Sequence, residues 1–254
     1  PTTSQHHGRR DQRLTRAGRG SHITSHFYPQ SIWADSLVMY VIPAMLMARQ
    51  YHDRDLMNFA LDQYEIFGSR LQEPTTGLFF HAYNVNKNRL IPRRDAAHWL
   101  RGNGWAAASM ALALDYTDLA HRPQIVARLR HLLISAFRHQ RANGLWDTIL
   151  DDPEYSYDET SGSALLAYAA LKAARAGIVP LSYRERALKT QIAITENLRP
   201  LTDGGLVVTG TSGPTNPSKK HKYARINTED DLPYGVGAYL LLTGELLREE
   251  MLRP

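Results

Sequence analysis

The chain has 254 residues, of which 43% are hydrophobic, and it contains no cysteine. This length suits one substantial globular domain with a buried core. The lack of cysteine excludes a disulfide scaffold, thiolate catalysis and metal sites held by cysteine. The sequence has no run of about 18 consecutive apolar residues, so it predicts no membrane-spanning helix and no membrane partner.

The net charge of +5 is concentrated near the N-terminus. Residues 1–20 carry one acid, Asp11, and five arginines, namely Arg9, Arg10, Arg13, Arg16 and Arg19. The rest of the chain is close to neutral, with both signs interspersed. Nucleic-acid binding needs many cations on one folded face, so we expect no nucleic-acid partner. We predict a disordered Arg-rich tail over 1–20 and a folded domain over 21–254.

Helices of two kinds alternate along the chain. Apolar helices rich in small residues are predicted over 32–50, 98–117, 157–176 and 231–250. Amphipathic helices with more charge are predicted between them, over about 53–71, 122–140 and 182–199. Pro43 interrupts the first apolar helix and is expected to kink or restart it, because proline lacks a backbone donor.

A turn glycine followed by a short apolar run recurs at Gly77, Gly144 and Gly205, about every 60 to 70 residues. The apolar helix around residues 106–114 has almost no polar face, so it should be buried on all sides. Inner and outer helices repeating with a glycine turn predict an all-α toroid. An ordinary helical bundle is the alternative, but a bundle gives no reason for the recurring turn.

Seven helices are too few to close such a ring. An open arc would leave apolar faces of inner helices against water. We therefore expect the toroid to be incomplete at its N-terminal side, with its front hairpins missing. Either an absent front portion or self-association over the open flank would cover these faces.

The inner helices of a ring begin near one common mouth, so candidate site residues are sought there. Aromatic rings with carboxylates suit a sugar, and an arginine suits a sugar that carries a carboxylate. The candidates at these helix starts are Trp33, Asp35, Trp99, Arg101, Trp105, Glu159 and Tyr234. His81 ends one of the apolar runs and is expected at the same rim.

Asp35 is the strongest candidate for acid catalysis. It is predicted in the first turn of the first inner helix, on the face that Met39 and Ile42 share. Burying a carboxyl among apolar neighbours raises its pKa and favours the protonated form, which a general acid requires. A helix cap is the alternative interpretation of Asp35.

The other candidates also have structural alternatives. Asp158 and Glu159 stand where helix N-caps occur, and Trp99 and Trp105 could be core residues. The acidic runs 151–154 and 229–231 lack the spacing of a calcium site, so we predict neither a metal nor another cofactor. The basic run 219–222 reads as an exposed loop.

At these motifs the sequence resembles glycoside hydrolase family 105, the unsaturated rhamnogalacturonyl hydrolases, which are related to the unsaturated glucuronyl hydrolases of family 88. The resemblance runs from roughly residue 22 to 247. The motifs that carry it are IWADSLVM from residue 32, TGLFFH from 76, WLRGNGW from 99, GLW from 144, ETSGS from 159 and LPYG from 232. It implies an (α/α)6 toroid, and family members carry further residues ahead of this segment.

The resemblance also implies an unusual hydrolysis. These enzymes remove a 4,5-unsaturated uronic acid from the non-reducing end of lyase-generated oligosaccharides by hydrating its enol-ether double bond. One aspartate protonates C4 and then assists the water, so the spaced carboxylate pair of other glycosidases is not required. The Trp-x-Asp motif assigns this role to Asp35.

The same resemblance assigns the substrate-binding residues. His81, Trp99, Arg101 and Trp105 would line the unsaturated uronyl subsite, with Arg101 facing its carboxylate. Trp33 and Met39 would supply apolar surroundings, and His22 would correspond to a family histidine ahead of the motif. Glu159 and Tyr234 complete the predicted set.

Other functions stay open at the level of sequence. A family 88-like enzyme would take unsaturated glucuronyl units from glycosaminoglycan-type fragments. A truncated toroid would bind sugar without turnover, and a helical-repeat scaffold would use the aromatic surface to bind a protein. The lack of cysteine and the habit of the family favour a cytoplasmic location, with secretion as the alternative.

Overall fold

The computed structural model describes residues 30–119 and 122–251. The Arg-rich stretch 1–20 and His22 lie outside these residues. Within them the helices are α1 (Ile42–Gln50), α2 (Arg54–Leu71), α3 (Leu100–Tyr116), α4 (Pro123–Arg138), α5 (Thr160–Arg175), α6 (Ser182–Glu196), α7 (Lys220–Tyr223) and α8 (Pro233–Met251). The predicted helices are confirmed apart from the start of the first, and the short α7 replaces part of the predicted basic loop.

Short strands join the helices at one rim. An antiparallel sheet has the order β1 (Ser31–Trp33), β2 (Ala82–Asn84), β3 (Arg89–Ile91). Two further antiparallel pairs are formed by β4 (Arg199–Pro200) with β5 (Leu206–Val207), and by β6 (Thr211–Ser212) with β7 (Thr228–Glu229). Their short length fits a role as connectors rather than as a core sheet.

The predicted helix over 32–50 is wrong at its start. Residues 31–33 form β1, because their backbone groups pair with β2 far along the chain. A turn at residues 34–35 and a π-helical segment, Leu37–Val41, then lead into α1. Pro43 lies in the first turn of α1, directly after the π-helical segment. The helical backbone continues through it, so the proline marks a change of helix type rather than the expected restart.

The helices form an arc of two layers. The inner helices α1, α3, α5 and α8 contact one another in that order. The outer helix α2 contacts α1, α4 contacts α3 and α5, and α6 contacts α5 and α8. This is the inner and outer arrangement of an α/α toroid, as the alternation of apolar and amphipathic segments predicts.

Small residues allow the inner helices to approach closely. Ala106, Ala107 and Ala108 of α3 are completely buried, and α5 is buried from Thr160 to Ala174. At Gly162 an added Cβ would come within 2.9 Å of the Arg101 backbone nitrogen. The crossing of α3 and α5 therefore depends on a glycine at this position.

The outer helices bury one face each, as their amphipathic pattern predicts. On α2 the buried face includes Leu61, Tyr64, Phe67 and Leu71. Burial of a large apolar side chain contributes about 1.5–3 kcal/mol. The Tyr64 hydroxyl also donates a 2.8 Å hydrogen bond to the Ser109 carbonyl, which ties α2 to the inner helix α3.

The recurring turn uses a glycine with positive φ, but its third copy is at Gly204. Gly77, Gly144 and Gly204 have φ of 75°, 93° and 86°. Gly144 N–H donates to Arg141 O, and Gly204 N–H donates to Leu201 O in the same way. The alignment on Gly205 is therefore wrong by one residue, because the left-handed backbone conformation falls on the preceding glycine.

Both ends of the described arc expose apolar side chains. Leu46 and Met47 protrude from α1, and Leu240 and Leu247 protrude from α8. These side chains, here called the flank residues, lie on the two inner helices that each have one inner neighbour in the described arc. Of the helices that the structure describes, none is long and apolar enough to cross a membrane.

Gly144→Ala should destabilise the fold by about 3 kcal/mol, because it adds strain at positive φ and a Cβ 2.9 Å from the Lys189 carbonyl oxygen. Gly177→Ala is the matched control, since Gly177 has φ of 71° with open space around it. It should lose only about 1–2 kcal/mol. Urea unfolding of both variants measures the difference, and equal losses would contradict the close contact at Gly144.

Candidate active site

The pairing of β1 with β2 brings Asp35 beside His81. Trp33 lies opposite Ala82 in the sheet, and the Ala34 N–H donates to the His81 carbonyl at 3.0 Å. The Asp35 Oδ2 atom is consequently 3.5 Å from His81 Nε2. Both residues are buried, with 7% and 2% of their surface exposed. Asp35 occupies the turn before the π-helical segment, not the first turn of a helix as expected.

Aromatic rings enclose the His81 imidazole. Trp33 approaches it edge-on, with ring centroids 5.3 Å apart, and Trp99 lies over it at 4.2 Å. Trp99 immediately precedes α3 and is held by a bridge to Ile149. The carboxyl and imidazole therefore lie among aromatic rings that are themselves almost completely buried.

Tyr223 also belongs to this cluster. Its hydroxyl is 2.8 Å from His81 Nδ1, on the opposite side of the imidazole from Asp35. The tyrosine ends α7 and is almost completely buried. It directly follows the basic run 219–222, which is predicted as an exposed loop, and no local motif marks it.

Arg101 is held between the rings of Trp99 and Tyr234, at 4.6 and 4.4 Å. Only 3% of its surface is exposed. Its Nη1 donates to the Ser212 carbonyl at 2.6 Å, and its Nη2 donates to the Gly213 carbonyl at 3.0 Å. A substrate carboxylate that contacts this guanidinium would have to share donors that already bind the loop around β6.

Glu159 caps α5 and is completely buried. It accepts hydrogen bonds from the Ser161 and Gly162 N–H groups and from the Ser212 N–H, and it lies 3.6 Å from Arg101. The capping interpretation is confirmed for Glu159. Asp158 does not cap α5; it binds Asn143 and Arg141 instead. Because Glu159 is enclosed by protein groups, its predicted contact with substrate gains no support from this geometry.

The remaining predicted residues that the structure describes are more exposed than the Asp35–His81 pair. Met39 is 45% exposed whereas Asp35 is buried, so the two side chains do not share one buried apolar face as expected, although the Met39 N–H donates to the Asp35 carbonyl. Trp105 is half-buried one turn after Arg101 on α3. Tyr234 donates to the Ser212 carbonyl, and burial raises its pKa despite the neighbouring Arg101.

A second buried histidine fixes the segment that carries Trp99. His98 Nδ1 is 2.8 Å from Asp151 Oδ2, and Phe80 stacks on its ring at 4.3 Å. Burial alone would raise the pKa of Asp151, but the hydrogen bond and charge of His98 hold it below its usual value. In the part of the chain that the structure describes, no group of three or more acidic or histidine side chains could hold a metal ion.

The fold class is that of the toroidal glycoside hydrolases. The sequence profile of Glycosyl Hydrolase Family 88 matches residues 9–250, so the chain belongs to that family. The match begins within the stretch predicted as a tail. The resemblance to family 105 and its relation to family 88 are likewise confirmed by the similar proteins and structures.

Among relatives, the chain is 35% identical over 150 residues to the unsaturated rhamnogalacturonyl hydrolase YesR of Bacillus subtilis. The match covers 58% of this chain and 42% of YesR, so the chain spans less than half of that relative.

Solved structures agree in fold. A possible family 105 member from Klebsiella pneumoniae is 30% identical, has a TM-score of 0.78, and is matched over 87% of this chain and 57% of its own. The unsaturated glucuronyl hydrolase of Bacillus sp. GL1, at 17% identity and a TM-score of 0.66, is matched over 86% and 59% and shares the fold.

Glu159→Gln should lower the free energy of unfolding by about 3 kcal/mol. Arg101 would lose the buried negative charge beside it. The N–H groups of Ser161 and Gly162 now donate to different oxygens of the carboxylate, and one of them would meet the NH₂ group of the glutamine instead. Glu185→Gln, an exposed carboxylate in the first turn of α6, should change stability by less than about 0.5 kcal/mol. Urea denaturation compares the two. A small loss in both would mean that the Glu159 carboxylate does not anchor this region.

Proposed function

We propose that the chain removes a 4,5-unsaturated uronic acid, of the galacturonyl type, from the non-reducing end of lyase-generated oligosaccharides such as rhamnogalacturonan fragments. The observation that carries the proposal is the buried Asp35–His81 pair, 3.5 Å apart and enclosed by Trp33 and Trp99. The relative YesR is named for this activity, and the Trp-x-Asp motif assigns Asp35 the acid role.

Protonation of the double bond is the first step of the proposed reaction. The Asp35 carboxyl gives its proton to C4, and the positive charge that develops at C5 is shared with the ring oxygen. A proton donor is needed for this step, and the enclosed Asp35 is the carboxyl that lies beside His81 at the centre of the candidate site.

Water then adds at C5, and the Asp35 carboxylate takes a proton from it, which restores the carboxyl. The C5 hemiketal opens by breaking its bond to the ring oxygen. The C1 hemiacetal formed in this way releases the shortened oligosaccharide, and one water has been consumed overall. A single carboxyl acts as acid and then as base, so no partner carboxylate is needed.

The neighbouring residues have supporting roles in this proposal. Trp33 and Trp99, which are almost completely buried, pack against His81 and keep bulk water away from the Asp35–His81 pair. Arg101 keeps Trp99 and Tyr234 in place through its two ring contacts, and it meets the uronyl carboxylate if its donors are shared. Trp105 extends the aromatic surface along α3. Glu159 acts through Arg101 rather than on the sugar.

An unsaturated glucuronyl substrate is the alternative within the same chemistry. The unsaturated glucuronyl hydrolase of Bacillus sp. GL1 has the same fold. The higher identity to a rhamnogalacturonyl hydrolase favours the galacturonyl substrate. A chain that binds the sugar without hydrolysing it is a further alternative. Its binding would use the aromatic rings and would not require the Asp35 carboxyl. The cytoplasmic location expected from the sequence stays a prediction.

Asp35→Asn should reduce turnover at least about 100-fold, because an amide cannot donate the proton to C4. Loss of the ultraviolet absorbance of the double bond measures the reaction on an unsaturated galacturonyl–rhamnose fragment and on an unsaturated glucuronyl disaccharide. Asp55→Asn, an exposed aspartate of α2, is the control and should retain the parent rate. Equal rates for the parent and Asp35→Asn, or no turnover of either fragment by the parent, would reject the proposal.

We further propose that the chain associates with itself through the flank residues, because exposed apolar faces at both ends of the arc favour association in water. Analytical ultracentrifugation should show concentration-dependent oligomers for the parent. Met47→Asp with Leu240→Asp should shift the population to monomer. Ile192→Asp, at a similarly exposed apolar residue of α6, should leave it unchanged. A parent that is monomeric at all concentrations would contradict the proposal.

A further inference from the structure

We propose that the chain has a second anion-binding surface beside the candidate site, which takes the carboxylates of uronic acids further along the oligosaccharide. This surface, here called the basic rim, consists of the exposed cations Arg93, Arg94, Lys219 and Lys222. The inference rests on the proposed function, because it concerns the part of the same fragment that lies beyond the unsaturated sugar.

The basic rim is built from two segments that are distant in sequence. An antiparallel bridge pairs Ala96 with Lys219, so the loop after β3 lies against the start of α7. The charges at this junction are close enough to influence one another. Although burial lowers the pKa of Lys220, its hydrogen bond with Asp152 and the charges of neighbouring acids, including Asp95, raise this pKa overall. The arginines and lysines of the rim therefore share one face of the molecule.

Both segments of the basic rim lead directly into the candidate site. Tyr223 follows Lys222, and its hydroxyl is 2.8 Å from His81 Nδ1. On the other segment Trp99 comes a few residues after Arg94, and its ring packs on the His81 imidazole at 4.2 Å. The rim is consequently within reach of the sugars that follow the unsaturated one in a bound fragment.

The cations of the basic rim outnumber the exposed acids beside them. Asp95 follows Arg94, and Glu154 belongs to a short helical turn that contacts α7. Two further acids, Asp151 and Asp152, are half-buried and form hydrogen bonds with protein groups. One exposed ion pair contributes little to binding, but several cations on one surface attract a chain of carboxylates through their combined field.

The chemistry of the proposed fragments matches this surface. A rhamnogalacturonan fragment carries one carboxylate on each uronic acid, and the rhamnose units between them are neutral. An unsaturated galacturonyl–rhamnose disaccharide has a single carboxylate, on the sugar that the proposed function places at the Asp35–His81 pair. The basic rim therefore favours longer fragments with free carboxylates over the disaccharide.

Two double variants of the full chain test the inference, Arg93→Gln with Arg94→Gln and Lys219→Gln with Lys222→Gln. Isothermal titration calorimetry at low ionic strength measures the binding of a saturated oligogalacturonide, which has no double bond to hydrate. Each double variant should raise the Kd about fivefold. About 0.5 M salt should weaken binding to the parent by screening the same charges. The methyl-esterified oligogalacturonide should bind the parent and both variants with the same, lower affinity.

Turnover supplies a second measurement on the same variants. The ratio of kcat/KM for a long unsaturated rhamnogalacturonan fragment to kcat/KM for the disaccharide should be above one in the parent. It should fall about fivefold in each double variant, because only the long fragment reaches the basic rim.

Arg54→Gln with Arg130→Gln is the matched control, since it removes two exposed cations from the outer helices α2 and α4. It should keep the parent Kd and the parent ratio. Parent affinity in both rim variants, an equal loss in the control, or equal binding of the free and methyl-esterified ligands would overturn the inference even if the parent is active. Binding that depends on the rim in a chain that hydrolyses neither fragment would support the inference and reject the proposed function alone.

Discussion

The antiparallel pairing of β1 with β2 is the constraint on which the candidate site depends. It joins segments about 50 residues apart and places the turn that carries Asp35 against the backbone of His81. Without this pairing, residues 31–36 would be free to extend the following helix, as their apolar pattern suggests. The three short strands therefore position Asp35 more directly than any helix of the arc.

A buried ion pair organises the opposite side of the site. Glu159 accepts hydrogen bonds from N–H groups at the start of α5 that have no partner within the helix, and its charge is balanced by Arg101 from α3. Arg101 in turn holds the loop around β6 and two aromatic rings. The Glu159 carboxylate thus caps α5 and, through Arg101, helps to hold α3 and the rings of Trp99 and Tyr234 in place.

The two halves of the site meet at His81 and Trp99. His81 contacts Asp35 through Nε2 and Tyr223 through Nδ1, and its ring packs on Trp99. Trp99 also contacts Arg101, and the neighbouring His98 is held by its hydrogen bond to Asp151. Such a fully packed cluster restricts each side chain to one orientation, as the proposed proton transfer from Asp35 requires.

Sequence periodicity alone determined the alternation of inner and outer helices, because amphipathic and all-apolar patterns depend on local spacing. The motif residues Asp35, His81, Trp99 and Arg101 were also recognisable in the sequence, and the structure brings them to one rim. Tertiary structure decided what local patterns do not encode. It made residues 31–33 a strand, buried Tyr223 against His81, enclosed Glu159 and selected Gly204 for the turn. In the first three cases the deciding contact is with a distant segment of the chain. In the fourth it is the backbone conformation of one glycine. A window of neighbouring residues shows neither.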